Sequence, residues 1–380
     1  MLDGLTRRLA RTDWGMLLIA LALLAVGLVM VYSSSYHFHL MGWADVTGPT
    51  YHFVKQLRYA GIGLAGLVLA WAIDYHLYKK LALAVLAGTL AILVAMALRG
   101  RWIEMTTAAN DVVIYGSIQP VEVAKLGAII YIAVWLESKR AQLGRFSVGT
   151  VPFIIILGGM AGLIILQPDY STALLLIATA SAMFFVAGAN MKHFVIYMVI
   201  GVLLGSLPLF LFGYGEERYT IWLEGPFSDP MNEGYQILQS LRALSLGGLP
   251  VIEQRQSQQK LYLGRFSHTD FVFSIICEEF GFLGAVAVIG LYGLWVWRGL
   301  LVARNAPDVY GRLLAVGLVC WTAFQAILSI AVATNSAPVT GTVLPFMSYG
   351  GSSLVTALAS VGVLLNISRS GHKSGKEASK

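Results

Sequence analysis

The chain has 380 residues, 57% of them hydrophobic and only 12% charged, with a formal net charge of +6. A soluble globular domain carries roughly 25% charged residues, so that class is excluded. The small positive excess sits at loop ends, which speaks for membrane topology and against nucleic acid as a partner.

Long apolar runs recur, of the roughly 17–25 residues needed to cross about 30 Å of hydrocarbon. Ten spans are predicted, at 14–34, 57–74, 80–98, 119–137, 151–168, 171–189, 192–213, 270–297, 311–333 and 350–368. The expected fold is therefore an all-α polytopic membrane protein. It is read as one transmembrane domain over 1–369, with a disordered cytoplasmic tail at 370–380. The first run, Trp14–Tyr32, is followed by no small-residue cleavage site and reads as a retained span. Both cysteines, Cys277 and Cys320, fall inside spans, which argues against a disulfide framework.

An even number of spans puts both termini on one side. With the termini inside, the inner segments carry sixteen Lys and Arg and the short outer loops only four (Lys55, Arg58, Arg99, Arg101). That asymmetry sets the termini in the cytoplasm. The long loop 214–269 is then extracytoplasmic, and its basic residues are left out because long loops translocate regardless of charge. Its segment Tyr235–Leu246 has helical spacing, so partial order is expected there.

The fourth span opens Gln119-Pro120-Val121-Glu122-Val123-Ala124-Lys125. Proline suits the first helical position, and Glu122 and Lys125, three apart, share a face. A lysine inside a span demands an interior, paired position. Structural ion pair and substrate contact are both open readings. Gln167-Pro168-Asp169-Tyr170 forms a tight turn in which Asp169 is expected to cap the next helix.

Arg265 to Gly284 carries His268, Thr269, Asp270, Glu278 and Glu279 at the mouth and inside of the eighth span. An ionised carboxylate in hydrocarbon is costly unless paired or wet, so such acids are functional candidates. Asp270, at the water–membrane boundary, can stay ionised and face a lipid-borne substrate. Helix capping by Thr269 or Asp270 is the plainer reading, and does not exclude chemistry. Near the C-terminus, Pro338 to Ser353 holds Pro345, Ser348, Tyr349, Gly350, Gly351 and Ser352. Prolines and glycines at membrane depth predict a broken segment, buried in protein or lining a wet cavity. Its hydroxyls and free N–H groups suit a sugar or a phosphate. Arg101, Arg218, Lys260 and Arg265 are cations on the same side as Asp270, able to receive a diphosphate; the plainer reading of each is an ordinary solvated charge. No His/Cys/acid spacing resembles a zinc site.

These segments together resemble the FtsW/RodA/SpoVE family, also called SEDS proteins. The resemblance runs from Asp13-Trp14 through the QPVEVAK and QPDYSTA stretches, Gly234-Tyr235-Gln236 and Ser257-Gln258-Gln259-Lys260. It continues through HTDFVFSIICEEFGFLG and PVTGTVLPFMSYGGSSL to Asn366-Ile367-Ser368-Arg369. Arg265-Phe266-Ser267 depart from the family's usual Pro-Glu-Ala. The resemblance implies ten spans and polymerisation of lipid II into glycan strands without a nucleotide cofactor. It implies Asp270 as general base, with Arg101, Glu122, Lys125, Arg218, Lys260, His268, Thr269, Ser348, Tyr349 and Ser352 handling substrate. Gln119, Asp169, Gln236, Glu278, Glu279, Pro345, Gly350 and Gly351 take supporting roles. A divalent cation, Mg or Mn, could assist the leaving diphosphate. Implied partners are lipid II, the lipid-linked strand, a class B penicillin-binding protein and other divisome or elongasome membrane proteins. The apolar entry VMVYSSS leans towards the division (FtsW) branch. Two other functions stay open: a lipid II flippase, and a non-catalytic activator of a penicillin-binding protein.

Overall fold

A computed structural model describes residues 12–40, 50–103, 119–167, 169–189, 216–231, 233–248 and 257–377, with three isolated positions at 192, 195 and 199. The protein is an all-α, multi-pass membrane protein, with no strand among the described residues. Its helices are α1 (Trp14–Leu40), α2 (Tyr51–Ala72), α3 (His76–Ile103), α4 (Pro120–Lys139), α5 (Val151–Ile165) and α6 (Tyr170–Val186). Then follow α7 (Glu216–Glu224), α8 (Glu233–Leu246), the short α9 (Gln259–Leu263), α10 (Val272–Arg304), α11 (Val309–Ala333) and α12 (Gly351–Glu377). Helices thus cover nine of the ten expected spans; the seventh, 192–213, lies outside the described residues except at those three positions. Seven are long and apolar enough to cross a membrane. Among the remaining helices, α6 is shorter, and α4 carries Glu122, Lys125, Glu137 and Lys139.

Local chemistry explains the helix starts. Pro120 stands in the first turn of α4, where its missing N–H costs nothing. Asp169 accepts from the Thr172 N–H (3.0 Å) at the head of α6, and Asp308 from the Gly311 N–H (2.7 Å) at the head of α11. Each satisfies one of the orphan donors of a helix start. The helix at Tyr235–Leu246 is present as α8. By contrast α12 continues to Glu377, well into the stretch expected to be a disordered tail.

Close packing rests on small residues. A Cβ on Gly63 of α2 would lie 2.6 Å from Leu358 Cδ1, and one on Gly362 of α12 would lie 2.2 Å from the Leu67 carbonyl oxygen. Lacking side chains there, α2 and α12 approach along much of their length, as membrane helices do when dispersion rather than hydrophobic exclusion drives association. The buried Asn366 amide locks one end of this pair, donating to the carbonyls of Trp71 (2.7 Å) and Ile73 (2.5 Å). Its own carbonyl accepts the Tyr75 N–H at 3.3 Å. Two free backbone acceptors at the end of α2 are thereby satisfied where water is scarce.

Helix α10 is not continuous. Gly281 has φ 65° and ψ −162°, a conformation that only glycine adopts without strain, and the Phe282 N–H leaves the helix ladder to bond the Gly248 carbonyl (3.1 Å). The kink admits the end of α8, where a Cβ on Gly247 would lie 2.1 Å from the Cys277 oxygen.

Between α11 and α12 the chain runs without helix from Thr334 to Gly350, with Leu344, Phe346 and Met347 buried. The broken segment predicted from its prolines and glycines is present, and it is threaded through the bundle. A Cβ on Gly27 of α1 would lie 2.5 Å from Met347 Cα. Tyr292 donates to the Pro345 carbonyl, and the Gln325 amide to the Val343 carbonyl at 3.0 Å. Trp295 meets Phe346 edge-on, their centroids 5.3 Å apart.

Candidate active site

Asp270 lies in the turn that enters α10 and is half-buried. The N-cap of α10 is Phe271, without a side-chain cap; its carbonyl accepts the Ile275 N–H (3.3 Å) while its own N–H bonds the Phe266 carbonyl (3.0 Å). The N-cap position thus falls on Phe271, one residue beyond the Asp270 that the plainer sequence reading offered. The preceding 3-10 turn, Gly264–Ser267, brings the chain in at an angle that makes Phe271 the first helical acceptor.

The two residues before Asp270 are held from outside. The Tyr349 N–H donates to the His268 carbonyl (2.7 Å), and the Ser348 hydroxyl to the Thr269 carbonyl (2.5 Å). Ser348 also accepts the Leu344 N–H (2.9 Å), closing a tight turn of its own segment. Gln56 of α2 completes the junction: its amide donates to the Ser348 carbonyl (3.1 Å) and accepts the Gly350 N–H (3.3 Å). The rings of His52, His268 and Tyr349 gather with centroids 5.0–5.3 Å apart. Burial holds the His268 imidazole far below its usual range, at about 3, with His52 adding to the effect, so it is neutral at physiological pH.

On its other flank Asp270 follows a strap, residues 257–269, fastened to the third turn of the same α10. Glu278 accepts from the Ser257 hydroxyl and from the N–H groups of Gln258 (3.0 Å) and Gln259 (3.3 Å). Glu279 pairs with Lys260, whose ammonium also reaches the Ser33 hydroxyl of α1. The Lys260 side chain is 1% exposed. This corrects the expectation that Lys260 is an open cation for a diphosphate: it is spent in a buried pair.

Glu122 and Lys125 form the ion pair expected from their spacing, at 2.5 Å and buried, with the ammonium 4.8 Å from the Trp321 ring centre. They face a small cavity of about 30 Å³ that Gln325, Pro345, Ser353 and Thr356 also line. Ser352 accepts the Gln119 N–H (3.0 Å), so α4 begins against α12. Pro345 is thus shared between the cavity and the segment that grips Thr269. Both sequence readings of that segment apply, since it packs on Gly27 and also lines a cavity.

Other candidates stand further off or take supporting roles. Arg218 of α7 is exposed and reaches the Val339 carbonyl at 3.5 Å, while Trp222 donates to the Asn335 carbonyl (3.2 Å), so α7 fastens the broken segment. Asp169 is a cap, and Ser171 beside it bonds the Thr340 carbonyl (3.3 Å). Gln236 is half-buried in α8. A Cβ on Gly351 would lie 2.7 Å from the Tyr59 ring. Arg101 lies in the last turn of α3, its side chain outside the described residues. No group of three His, Cys, Asp or Glu able to hold a metal ion occurs among the described residues, so no side-chain set is assigned to Mg or Mn.

Gln56, Ser33 and Gln325 were missed by sequence reasoning. Each is a polar residue inside an apolar helix, and that was the available signal: in lipid such a group seeks a partner across the bundle.

The profile of the FtsW/RodA/SpoVE family, described as cell cycle protein, matches residues 13–373. Stage V sporulation protein E of Bacillus subtilis is 37% identical over 369 residues, 96% of this chain and 99% of that protein. A probable peptidoglycan glycosyltransferase FtsW of a Geobacter species is 36% identical, covering 95% of this chain and 98% of the relative. Among solved structures, a chain from a peptidoglycan synthase complex superposes with a TM-score of 0.76 at 28% identity, covering 95% of this chain and 99% of that one. The rod shape determining protein RodA of Thermus thermophilus gives a TM-score of 0.65 at 26% identity, covering 94% and 97%. On a profile spanning nearly its whole length and relatives aligned end to end, this chain belongs to the FtsW/RodA/SpoVE family.

Proposed function

We propose that this protein, a peptidoglycan glycosyltransferase by family, polymerises lipid II. It transfers the growing lipid-linked glycan to the 4-hydroxyl of a lipid II acceptor. The observation that carries the reading is the fixed approach to Asp270: a half-buried carboxylate at the mouth of a membrane helix, whose two preceding carbonyls are held by Ser348 and Tyr349.

In this reaction Asp270 takes the proton from the acceptor 4-hydroxyl as its oxygen attacks the anomeric carbon of the donor strand. The bond to the diphosphate breaks on the opposite face, undecaprenyl diphosphate leaves with the bonding pair, and the anomeric configuration inverts. A base held in position needs little reorganisation at the moment of transfer. The surrounding apolar spans suit the substrate's polyprenyl tails. No step is routed through a metal.

The setting is the bacterial cytoplasmic membrane with both termini cytoplasmic, supported by the sixteen-to-four distribution of basic residues. A class B penicillin-binding protein is the proposed partner, supported by the likeness to a chain from a peptidoglycan synthase complex. The FtsW-named relatives favour a place in division.

The test is glycan polymerisation from purified lipid II, with the protein and its cognate transpeptidase, the latter inactivated. Wild type should give a ladder of strands that Asp270→Asn, folded, does not. Ladders from both would remove Asp270 as the base. Ladders from neither, with lipid II crossing liposomes, would replace polymerisation by transport.

A further inference from the structure

The strap that delivers Asp270 is fastened at both ends. At the Asp270 end the Ser348 hydroxyl holds the Thr269 carbonyl and the Tyr349 N–H holds the His268 carbonyl. At the far end the partners are charged. Two adjacent glutamates of α10 point at the strap: Glu278 collects the Ser257 hydroxyl and two backbone N–H groups, and Glu279 takes the Lys260 ammonium. Ser33 of α1 bridges the pair, accepting from Lys260 and donating to Glu279 at 3.3 Å. The strap therefore leaves α10 at its third turn and returns to it at Asp270, forming a closed loop.

We infer that the Lys260–Glu279 ion pair, tied to α1 through Ser33, is a positioning device that sets where Asp270 stands, acting through its charge and not merely through packing. This rests on the polymerase reading given above. Neither residue touches the reacting atoms in this scheme. A buried pair is weak evidence for stability, because desolvation offsets much of the attraction, and geometric specification is its better-attested use. Only the rest of α9, to Leu263, and one 3-10 turn lie between Lys260 and His268. A strap that short transmits a displacement of one end to the other.

The charge is also titratable. Burial pulls the Lys260 ammonium down to about 8 from its usual 10.5, against the attraction of Glu278. Of the elements packed against α9, α10 presents Glu278 and Glu279, α1 presents Ser33, α8 carries Arg242, which is exposed and bonded to Gln239 at 3.3 Å, and the adjoining 3-10 turn carries Arg265, its side chain outside the described residues. Above this pH the ammonium loses its proton, and Glu279 is left without its cation.

The experiment is the pH profile of lipid II polymerisation by the complex, run from about pH 6 to about pH 10. Wild type should lose kcat above about pH 8. Lys260→Arg stays charged throughout, so this alkaline limb should move to higher pH with the neutral-pH rate retained. Lys260→Met should lower kcat about tenfold while KM for lipid II stays within about twofold, the split expected when a transition-state interaction is lost. A folded Lys260→Met with wild-type kcat, or a limb that Lys260→Arg leaves in place, would overturn the inference. Should those variants not fold, Ser33→Ala removes one acceptor of the ammonium and should move the limb to lower pH; an unmoved limb again sinks the idea. Hydrogen exchange reads the tie without catalysis. Removing it should speed exchange at the Phe271 and Tyr349 amides about tenfold in Lys260→Met, or in Ser33→Ala if that variant alone folds. Unchanged protection would overturn positioning even if the protein proved not to polymerise lipid II, so the two failures are separable.

Discussion

The hydroxyl of Ser348 donates to the carbonyl of Thr269, a contact of 2.5 Å between residues 79 positions apart. The backbone immediately before the candidate base is thus governed by the non-helical segment between the last two helices. Removing that hydroxyl in Ser348→Ala takes one donor from the Thr269 carbonyl and leaves the Leu344 N–H without its side-chain acceptor. Leaving buried polar groups unpaired costs about 1–3 kcal/mol each. The expected outcome is a lower unfolding midpoint in detergent together with a polymerisation rate reduced about tenfold. A variant that loses stability but keeps its full rate would show that the contact supports the fold alone.

The Glu122–Lys125 pair predicts a strong asymmetry between single and double substitutions. Glu122→Gln or Lys125→Met each leaves one buried charge unpaired, at a cost of about 3–5 kcal/mol. The double variant removes both charges and should recover much of that loss. A double-mutant cycle on thermal unfolding measures the coupling; additive losses would mean that the two charges do not depend on each other.

His268 supplies a pH dependence whose sign is fixed by burial. Its folded value, about 3, lies below the unfolded 6.5, so the unfolded chain binds the proton first as pH falls. This group's contribution to stability is therefore full above about 6.5 and is lost progressively between there and about 3. The unfolding temperature should drop as pH is lowered from 7 to about 4, and His268→Asn should drop less. Equal acid sensitivity in both proteins would remove His268 from that account.

Gly362→Ala tests the helix packing. The new methyl would stand 2.2 Å from the Leu67 carbonyl oxygen, a backbone atom that cannot swing aside. Overpacking of this kind costs about 1–3 kcal/mol. Gly61→Ala, with open space around its Cβ position, should be neutral or slightly stabilising. Similar unfolding midpoints for the two variants would disprove close approach as the reason for glycine at 362.

Much of this architecture was legible in one dimension. Apolar runs gave nine helices that the described residues contain, Pro120 and Asp169 marked helix starts, and Pro338 to Ser353 announced the break between α11 and α12. Glu122 and Lys125, three apart, predicted their own partnership. Lys260 was misread as an open cation because its partner lies 19 residues away, on the far side of a turn whose shape no local pattern discloses. The N-cap position falls on Phe271 and not on Asp270 because the chain enters α10 from a 3-10 turn, which no local pattern announces. Gln56 stood unremarked beside Lys55 and Arg58, yet it joins α2 to both Ser348 and Gly350.

What the sequence determined by itself was the set of segments that lipid will accept as helices, the place of the acid at the mouth of one of them, and the motifs that carry the family. Those follow from a local condition, since a span must satisfy its backbone internally and present apolar side chains over its own length. What only the tertiary structure decided was which buried polar groups meet: Ser348 with Thr269, Lys260 with Glu279 and Ser33, Asn366 with the end of α2. Within an apolar surround each such group must find a partner, but which partner it finds depends on how helices distant in sequence pack.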